Sequence, residues 1–235
     1  MPNNPITQSL NSPITQSRTL AIIGGTGKEG NALAFRFAQA GVRVLIGSRD
    51  AAKAQNAANE LNVRIGAKNV EGYSNRDAAT KADIILLSVP YDGMRPILEE
   101  LRGAADNKIV INIASSLDPE RKSRAKIPAA GSVTAEVQQF LGEATQVVAA
   151  FQNIPPEKLE SVAEKIDTDV LVCGGNKDAR TAAIELIHRI GIDAFDAGVL
   201  ANAVAVEALT AVLIAVNIKY KVRGAGIRLT GVPRG

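Results

Sequence analysis

The amino-acid sequence predicts an α/β protein built on a doubly wound parallel sheet. From residue 19 onward, short apolar runs alternate with longer amphipathic runs, as parallel strands and their crossover helices do. A glycine-rich turn follows the first apolar run directly. The chain has 235 residues, of which 46% are hydrophobic, so it can bury one sizeable core or one core with a small appendage.

The apolar runs place the strands, and the amphipathic runs place the helices. Continuous apolar stretches bounded by turn residues predict buried strands. We expect strands at residues 19–23, 42–46, 69–72, 83–89, 108–113, 146–150, 169–173 and 192–196. We expect helices at residues 31–40, 50–61, 176–190 and 200–220, and another from residue 75. Residues 114–131 form the longest predicted loop.

The predicted elements divide the chain into three parts. Residues 1–18 repeat the run Pro-Ile-Thr-Gln-Ser and are predicted to be a disordered leader. Residues 19–154 form the nucleotide-binding unit, and residues 155–235 form a smaller α/β extension or separate domain. Because its final helix has few polar positions, we expect it to be a long buried helix, packed on the first unit or on a second copy of the chain.

Composition excludes several classes of function. Aromatic residues are 3% of the chain and Trp is absent, so a base-stacking surface for nucleic acid is not expected. The longest apolar stretch is interrupted by Asn202, Glu207, Thr210 and Asn217, so we expect no membrane span. The single cysteine, in a predicted buried strand, suits a reducing, cytoplasmic setting. No metal site is predicted.

The glycine-rich turn predicts a dinucleotide site of Rossmann type. The run Gly24-Gly25-Thr26-Gly27-Lys28-Glu29-Gly30 lies between a strand and a helix, which is where a dinucleotide pyrophosphate binds. We expect Gly25 to permit the tight turn, Gly27 to let the backbone approach the phosphates, and Gly30 to bring helix and strand together. The predicted pyrophosphate site therefore comprises Gly25, Thr26, Gly27, Lys28, Glu29 and Gly30. A glycine turn without a ligand is the alternative.

The end of the second strand favours NADP over NAD. An acidic residue at this point would bind the ribose 2′-hydroxyl of NAD, whereas Ser48 beside Arg49 can bind a 2′-phosphate. Lys53 adds a cation one helical turn further on. Asp50 could instead serve as the acid that binds NAD, but it more simply caps the next helix.

A second group of residues is expected at the cleft where the ligand rings meet. Ligands of open α/β sheets bind at the carboxyl ends of the strands, where the strand order reverses. Ser88, Val89 and Pro90 lie at the end of one predicted strand and are expected to contact the cofactor. Gln152, Asn153, Ile154 and Pro155 follow another strand and are expected to contact the second substrate. Both groups could instead only mark strand ends.

The chain resembles the NADPH-dependent coenzyme F-420 reductases. The resemblance is carried by residues 24–30, 47–49 and 83–90 and by the C-terminal runs 169–174, 196–198 and 220–228. The resemblance covers nearly everything after Arg18. It implies an oxidoreductase in which a hydride passes directly between NADP(H) and the deazaflavin ring. Separately, we expect a homodimer. Family members often have His-Thr where this chain has Gln152-Asn153, and an arginine at Val204.

The resemblance implies that no side chain is catalytic. Hydride transfer between two rings needs only that the rings are aligned and that water is excluded from them. The sole histidine, His188, lies on a predicted helix and is expected to have a packing role. The alternatives are an NADPH-dependent reductase of another small acceptor, such as a flavin, ferric ion or imine, and a non-catalytic NADP-sensing module. The basic run containing Arg121, Lys122, Arg124 and Lys126 predicts a solvated face, with binding of the anionic F-420 tail as the alternative.

Overall fold

A computed structural model describes residues 18–155, 158–159 and 166–234. All of its strands belong to one eight-stranded sheet with the order β3-β2-β1-β4-β5-β6-β7-β8. The strands are β1 (Leu20–Ile23), β2 (Val44–Ser48), β3 (Val70–Ser74), β4 (Ile84–Leu87), β5 (Ile109–Asn112), β6 (Gln146–Ala149), β7 (Val170–Gly174) and β8 (Ala194–Asp196). The predicted α/β class and parallel sheet are confirmed, and each predicted strand is present with its ends shifted by a few residues. Except for Arg18, the predicted leader lies outside the described residues.

Helices cover both faces of the sheet because successive strand residues point to opposite sides. Leu20 and Ile22 of β1 belong to one hydrophobic cluster, and Ala21 and Ile23 belong to the other. The described helices are α1 (Lys28–Gln39), α2 (Ala51–Ile65), α3 (Asn75–Lys81), α4 (Met94–Leu101), α5 (Val133–Leu141), α6 (Lys177–His188) and α7 (Ala203–Tyr220). The sequence analysis did not predict α4 and α5. Both are short, with eight and nine residues.

The C-terminal part continues the same sheet. From β3 to β6 every neighbouring pair of strands is parallel, whereas β6 and β7 pair antiparallel through Val148 with Gly174 and Ala149 with Cys173. The pairing of β7 with β8 is parallel again. The C-terminal strands therefore extend the sheet edge, and their helices pack beside those of the first unit.

In a single copy of the chain, α7 is not buried on most of its circumference, so that expectation is wrong. Four residues of the helix are buried, namely Ala203, Val206, Glu207 and Ala211, whereas Val212 is 55% exposed and Ile218 is 67% exposed. The prediction failed because a helix that is apolar all round carries no signal of which face is covered. By length and composition alone, the 21 residues Leu200–Tyr220 also suit a membrane span, so the polar residues within the stretch do not exclude one.

Buried Asp169, at the start of β7, fastens the C-terminal segment to the sheet. Its side chain accepts hydrogen bonds from Leu229 N at 2.6 Å and from the Arg234 and Arg228 guanidinium groups at 2.9 and 3.1 Å. The hydrogen bond from Arg234 is the main reason why the pKa of Asp169 lies below its usual range. The segment after α7 thus crosses back to the base of β7.

The Asp169→Asn variant tests this anchor. We expect its free energy of unfolding near neutral pH to fall by about 1–3 kcal/mol, because the hydrogen bonds to a charged group are weakened. A carboxyl group whose pKa is lowered by folding stabilises the protein above the unfolded pKa of about 3.9 and loses that effect as the pH falls. Denaturant titrations of parent and variant should therefore converge below about pH 4.

Asp167→Asn is the matched control. The Asp167 side chain is 83% exposed, and its ion pair with Arg228 Nε is long, at 3.4 Å. This substitution should change stability little at any pH. The anchor would be contradicted if the difference in free energy of unfolding between Asp169→Asn and the parent stayed constant from neutral to acidic pH.

Candidate functional site

The glycine-rich turn between β1 and α1 is shaped by two close backbone contacts. Gly24 has a φ of +76°, and a Cβ there would lie 2.5 Å from the Ser88 carbonyl oxygen. A Cβ on Gly30 would lie 2.8 Å from the Gly24 carbonyl oxygen. The expected role of Gly30 in bringing helix and strand together therefore agrees with the geometry. The left-handed residue of the turn is Gly24. Gly25, which was expected to permit the tight turn, has no room for a side chain, because its Cβ would lie 2.8 Å from Ile22 O.

Gly27 marks the N-terminus of α1 and lies at the cavity described below. It is exposed, and α1 has no side-chain cap at this position. A helix N-terminus without a side-chain cap presents backbone N–H donors and the positive end of the helix dipole. The turn therefore fits the pyrophosphate of a dinucleotide, because Gly27 leaves open the space that a side chain would occupy.

The end of β2 places two cations at the surface. Asp50 accepts hydrogen bonds from Ala52 N at 3.0 Å and Lys53 N at 3.2 Å, so it caps α2 as the sequence analysis favoured. Ser48 is buried, and its Oγ accepts a hydrogen bond from Asp50 N at 3.2 Å. The side chains of Arg49 and Lys53 are exposed. With its carboxylate engaged in capping, Asp50 is poorly placed to bind a ribose hydroxyl, and this favours a 2′-phosphate beside Arg49.

A cavity of about 510 Å³ opens at the carboxyl edge of the sheet. It brings together ten of the residues predicted for the cofactor and the second substrate, namely Gly27, Lys28, Glu29, Ser88, Val89, Pro90, Gln152, Asn153, Ile154 and Pro155. The cavity is not lined by the other predicted cofactor residues Gly25, Gly30, Ser48, Arg49 and Lys53. Thr26 lines a neighbouring surface depression between α1 and α2. The two predicted groups of ring-contacting residues therefore face one shared space.

The sequence analysis missed one entire wall of the cavity. This wall comes from one face of α7 and the segment after it, and comprises Thr210, Leu213, Ile214, Asn217, Arg223 and Ala225. The loop after β5 adds Ile113, Ala114, Ser115, Leu117 and Lys122, and the turn after β4 adds Tyr91 and Asp92. A signal was present in α7, since Thr210 and Asn217 are polar residues spaced seven apart on an otherwise apolar helix.

A buried hydrogen-bond network fixes α7 against the sheet. The Glu207 carboxylate accepts hydrogen bonds from Val133 N at 2.7 Å, Thr134 N at 2.9 Å and Thr134 Oγ1 at 2.7 Å. Burial raises the pKa of Glu207 above its usual range. The hydrogen bonds act in the opposite direction, because they favour the charged form. The same carboxylate thus completes the N-terminus of α5 from a distant helix.

The network continues to the turn after β6. Asn112 Nδ2 donates to Thr134 Oγ1 at 2.9 Å, and Gln152 Nε2 donates to the Asn112 carbonyl oxygen at 2.8 Å. Thr210 Oγ1 donates to the Gln152 carbonyl oxygen at 2.8 Å. Helix α7 and the predicted second-substrate turn are therefore held in one fixed arrangement.

The turn after β6 carries two further unusual features. Phe151 is fully buried and has a φ of +74°, which is rare for a bulky residue. Gln152 and Asn153 are also buried, and the oxygen of each side-chain amide has no hydrogen-bond partner among the described residues. Asn153 Nδ2 donates to the Asp169 carbonyl oxygen, which fixes the orientation of that amide. Strain and unpaired polar atoms of this kind are typical of ligand-binding turns.

Tyr91, which lines the cavity, and the buried Cys173 both hold their protons near neutral pH. Burial, aided by a hydrogen bond to Glu136, raises the pKa of Tyr91 to about 12. Burial also raises the pKa of the Cys173 thiol to about 11. His188 does not line the cavity, and its Nε2 accepts a hydrogen bond from Ala194 N at 3.3 Å, which supports the packing role. Within the described part of the chain, no cluster of three or more His, Cys, Asp or Glu side chains could hold a metal ion.

Comparison with known proteins places the chain among characterised oxidoreductases. The family model described as "NADP oxidoreductase coenzyme F420-dependent" matches residues 19–116. The F420-dependent NADP reductase of Methanocaldococcus jannaschii is 38% identical over 91% of this chain and 98% of its own length. The enzyme of the same description from Methanothermobacter thermautotrophicus is 40% identical over 91% of this chain and 95% of its own length. A crystal structure of a putative reductase of this kind from an Arthrobacter species has the same fold, with a TM-score of 0.73, 19% identity and coverage of 92% and 100%.

The Arg49→Ala variant tests whether the end of β2 selects the nucleotide. We expect KM for NADP to rise about ten-fold to a hundred-fold, because hydrogen bonds to a charged phosphate contribute about 1.5–3 kcal/mol. KM for NAD should change little, since NAD carries no 2′-phosphate. Steady-state kinetics with both nucleotides would measure this difference.

Arg43→Ala is the control, because Arg43 lies just before the opposite end of β2 and pairs with Glu71 at 2.7 Å. It should leave both KM values unchanged. Equal losses for the two nucleotides in Arg49→Ala would rule out the assignment of the 2′-phosphate site.

Proposed function

The chain belongs to the family of F420-dependent NADP reductases, and from this premise we propose that it transfers a hydride between NADP(H) and the deazaflavin coenzyme F-420. The observation that carries the proposal is the shared cavity, which the nucleotide turn and the turn after β6 line together. Two rings held in one cavity can exchange a hydride without an intermediate carrier.

The proposed NADP site runs along the carboxyl edge of β2, β1 and β4. Backbone groups of residues 25–30 bind the pyrophosphate, and Ser48, Arg49 and Lys53 bind the 2′-phosphate. Residues 88–90 hold the nicotinamide ring in the cavity. Three observations support this placement: the glycine contacts in the turn, the capping role of Asp50, and the position of Val89 between the turn and the cavity.

The proposed second-substrate site is the wall formed by Gln152, Asn153, Ile154 and Pro155. In this assignment residues 19–154 bind NADP, and residues 155–235 complete the cleft for the deazaflavin. Leu213 and Ile214 of α7 give the cleft an apolar side that excludes water from the reacting rings. The Gln152–Asn112 and Thr210–Gln152 hydrogen bonds hold this wall in place.

We propose that this chain supplies alignment and no catalytic side chain. The cofactors carry the chemistry, since the hydride moves between a nicotinamide carbon and a deazaflavin carbon. Two buried or half-buried candidates are engaged elsewhere, because the Tyr91 hydroxyl donates to Glu136 and the Glu207 carboxylate accepts from Thr134 Oγ1. The protein therefore contributes by fixing the distance and the angle between the two rings.

We further propose that the protein is a cytoplasmic homodimer joined through α7. Apolar side chains of α7 that face away from the cavity are exposed, including Val212, Ile218 and the 71% exposed Tyr220. Exposed apolar patches of this kind mark interaction surfaces, and one helix that packs on its own copy forms a self-complementary interface. The same pairing would remove from water the surface that makes α7 resemble a membrane span.

Single-turnover transfer from 4-deuterated NADPH, followed by deazaflavin absorbance, tests the proposed reaction. His188→Gln should keep the rate within about two-fold, and no pH break near 6.5 should appear, because no side chain moves a proton. Pro155→Gly should slow transfer by about a hundred-fold, because a shift of about 1 Å in the cleft wall misaligns the rings. A large loss in His188→Gln, or a full rate and full isotope effect in Pro155→Gly, would show that the reaction lies elsewhere.

Light scattering tests the proposed dimer. The parent should have twice the chain mass of 24.6 kDa, and Val212→Glu should be monomeric, because a buried unpaired carboxylate opposes association. Val63→Glu is the matched control, since Val63 is 84% exposed on α2, and it should remain dimeric. A monomeric parent, or a parent that partitions into membranes, would exclude the interface.

A further inference from the structure

The basic loop after β5 is a folded hairpin. Leu117 and Ala125 form an antiparallel bridge, and Lys126 N donates to the Ser116 carbonyl oxygen at 3.2 Å. Asp118 Oδ1 accepts hydrogen bonds from Glu120 N at 2.9 Å and Arg121 N at 2.8 Å, which closes the tip of the hairpin. The cations of this segment therefore project from a defined backbone.

The hairpin directs one of its four cations to the cavity. Lys122 lines the cavity together with Leu117, whereas Arg121, Arg124 and Lys126 do not. Lys122 is exposed, as expected for a solvated face, and it also lies at the cavity. The other three cations remain exposed outside the cavity.

A second cation reaches the same cavity from the C-terminal segment. After α7 ends, Val222 N donates to the Asn217 carbonyl oxygen at 3.1 Å, and Ala225 N donates to Asn217 Oδ1 at 2.9 Å. These bonds fold the chain back over the cavity, where Arg223 and Ala225 both line it. Arg223 is exposed, as Lys122 is, so both cations remain accessible to solvent.

We propose that Lys122 and Arg223 form a cationic clamp for the anionic tail of the deazaflavin co-substrate, its phosphodiester and its glutamate carboxylates. The clamp rests on the proposed function, since it assumes that the deazaflavin ring occupies the wall at residues 152–155. A lysine and an arginine on separate segments can hold a flexible anionic chain between them, because each donates hydrogen bonds to phosphate or carboxylate oxygens.

The other charges of the cavity belong to the nucleotide side. Lys28 and Glu29 lie at the start of α1, and Asp92 lies in the turn after β4. Lys122 follows β5 and Arg223 follows α7, which packs on β6 and β7, so the two cations lie on the side of the sheet away from β2. The excess positive charge is therefore on the side of the second substrate, where a polyanionic tail would enter.

The test compares two deazaflavins in the full-length protein. One is the complete coenzyme, and the other is the deazaflavin core with its ribityl chain but without the phosphodiester and glutamate groups. Lys122→Gln and Arg223→Gln should each raise KM for the complete coenzyme about two-fold to five-fold, and the double variant should raise it about ten-fold, because each removes one screened ion pair. KM for the core and for NADPH should stay unchanged.

Salt provides an independent readout. KM of the parent for the complete coenzyme should rise with ionic strength, and the double variant should lose most of this dependence. Arg121→Gln and Lys126→Gln are matched controls in the same hairpin, and both should behave as the parent because neither residue lines the cavity.

Three results would overturn the clamp, and they distinguish its failure from that of the proposed function. If KM rises equally for the complete coenzyme and the core, or if the control variants show the same loss, the cations do not hold the tail and the proposed reaction stands. If the parent reduces neither deazaflavin, the proposed function fails and the clamp fails with it.

Discussion

The cavity depends on one buried carboxylate. Glu207 lies on α7 but accepts its hydrogen bonds from Val133 and Thr134 at the N-terminus of α5, across more than 70 residues of sequence. Three donors offset the cost of burying a charge, since each unpaired buried polar group would be expensive. This contact presses one face of α7 onto the carboxyl edge of the sheet, and that face becomes a wall of the cavity.

The reversal of strand direction at β7 makes this arrangement possible. Six parallel strands bring the turns after β1, β4, β5 and β6 to one edge, as the rule for open α/β sheets requires. Because β7 runs antiparallel to β6, it starts at the same edge as the β6 turn, where Asn153 Nδ2 donates to the Asp169 carbonyl oxygen. The segment after β8 then continues into α7, which returns to the edge of the cavity and places the second wall opposite the first.

The nucleotide half could be predicted from the sequence because its signals are local. Gly24–Gly30 and Ser48–Asp50 are short runs whose meaning follows from a strand on one side and a helix on the other. The role of α7 could not be predicted in this way. Glu207 and Thr210 looked like interruptions of an apolar helix, and only the fold shows that one binds α5 and the other binds the Gln152 carbonyl oxygen. The left-handed conformation of Gly24 could not be predicted from the motif alone, because the run contains four glycines.

The turn after β6 holds several energetically unfavourable features in one wall of the cavity. A positive φ at Phe151 costs about 1–3 kcal/mol, and each unpaired buried amide oxygen of Gln152 and Asn153 costs a similar amount. The fixed amide nitrogens show that these oxygens are not simply misoriented, because each nitrogen donates to a backbone carbonyl. Packing of Phe151 edge-on against Phe37 of α1, with ring centroids 6.4 Å apart, stabilises the strained turn from below. Since Phe37 lies on the helix that begins at the glycine-rich turn, the same helix supports both sides of the cleft, and the spacing between those two sides is set by the core.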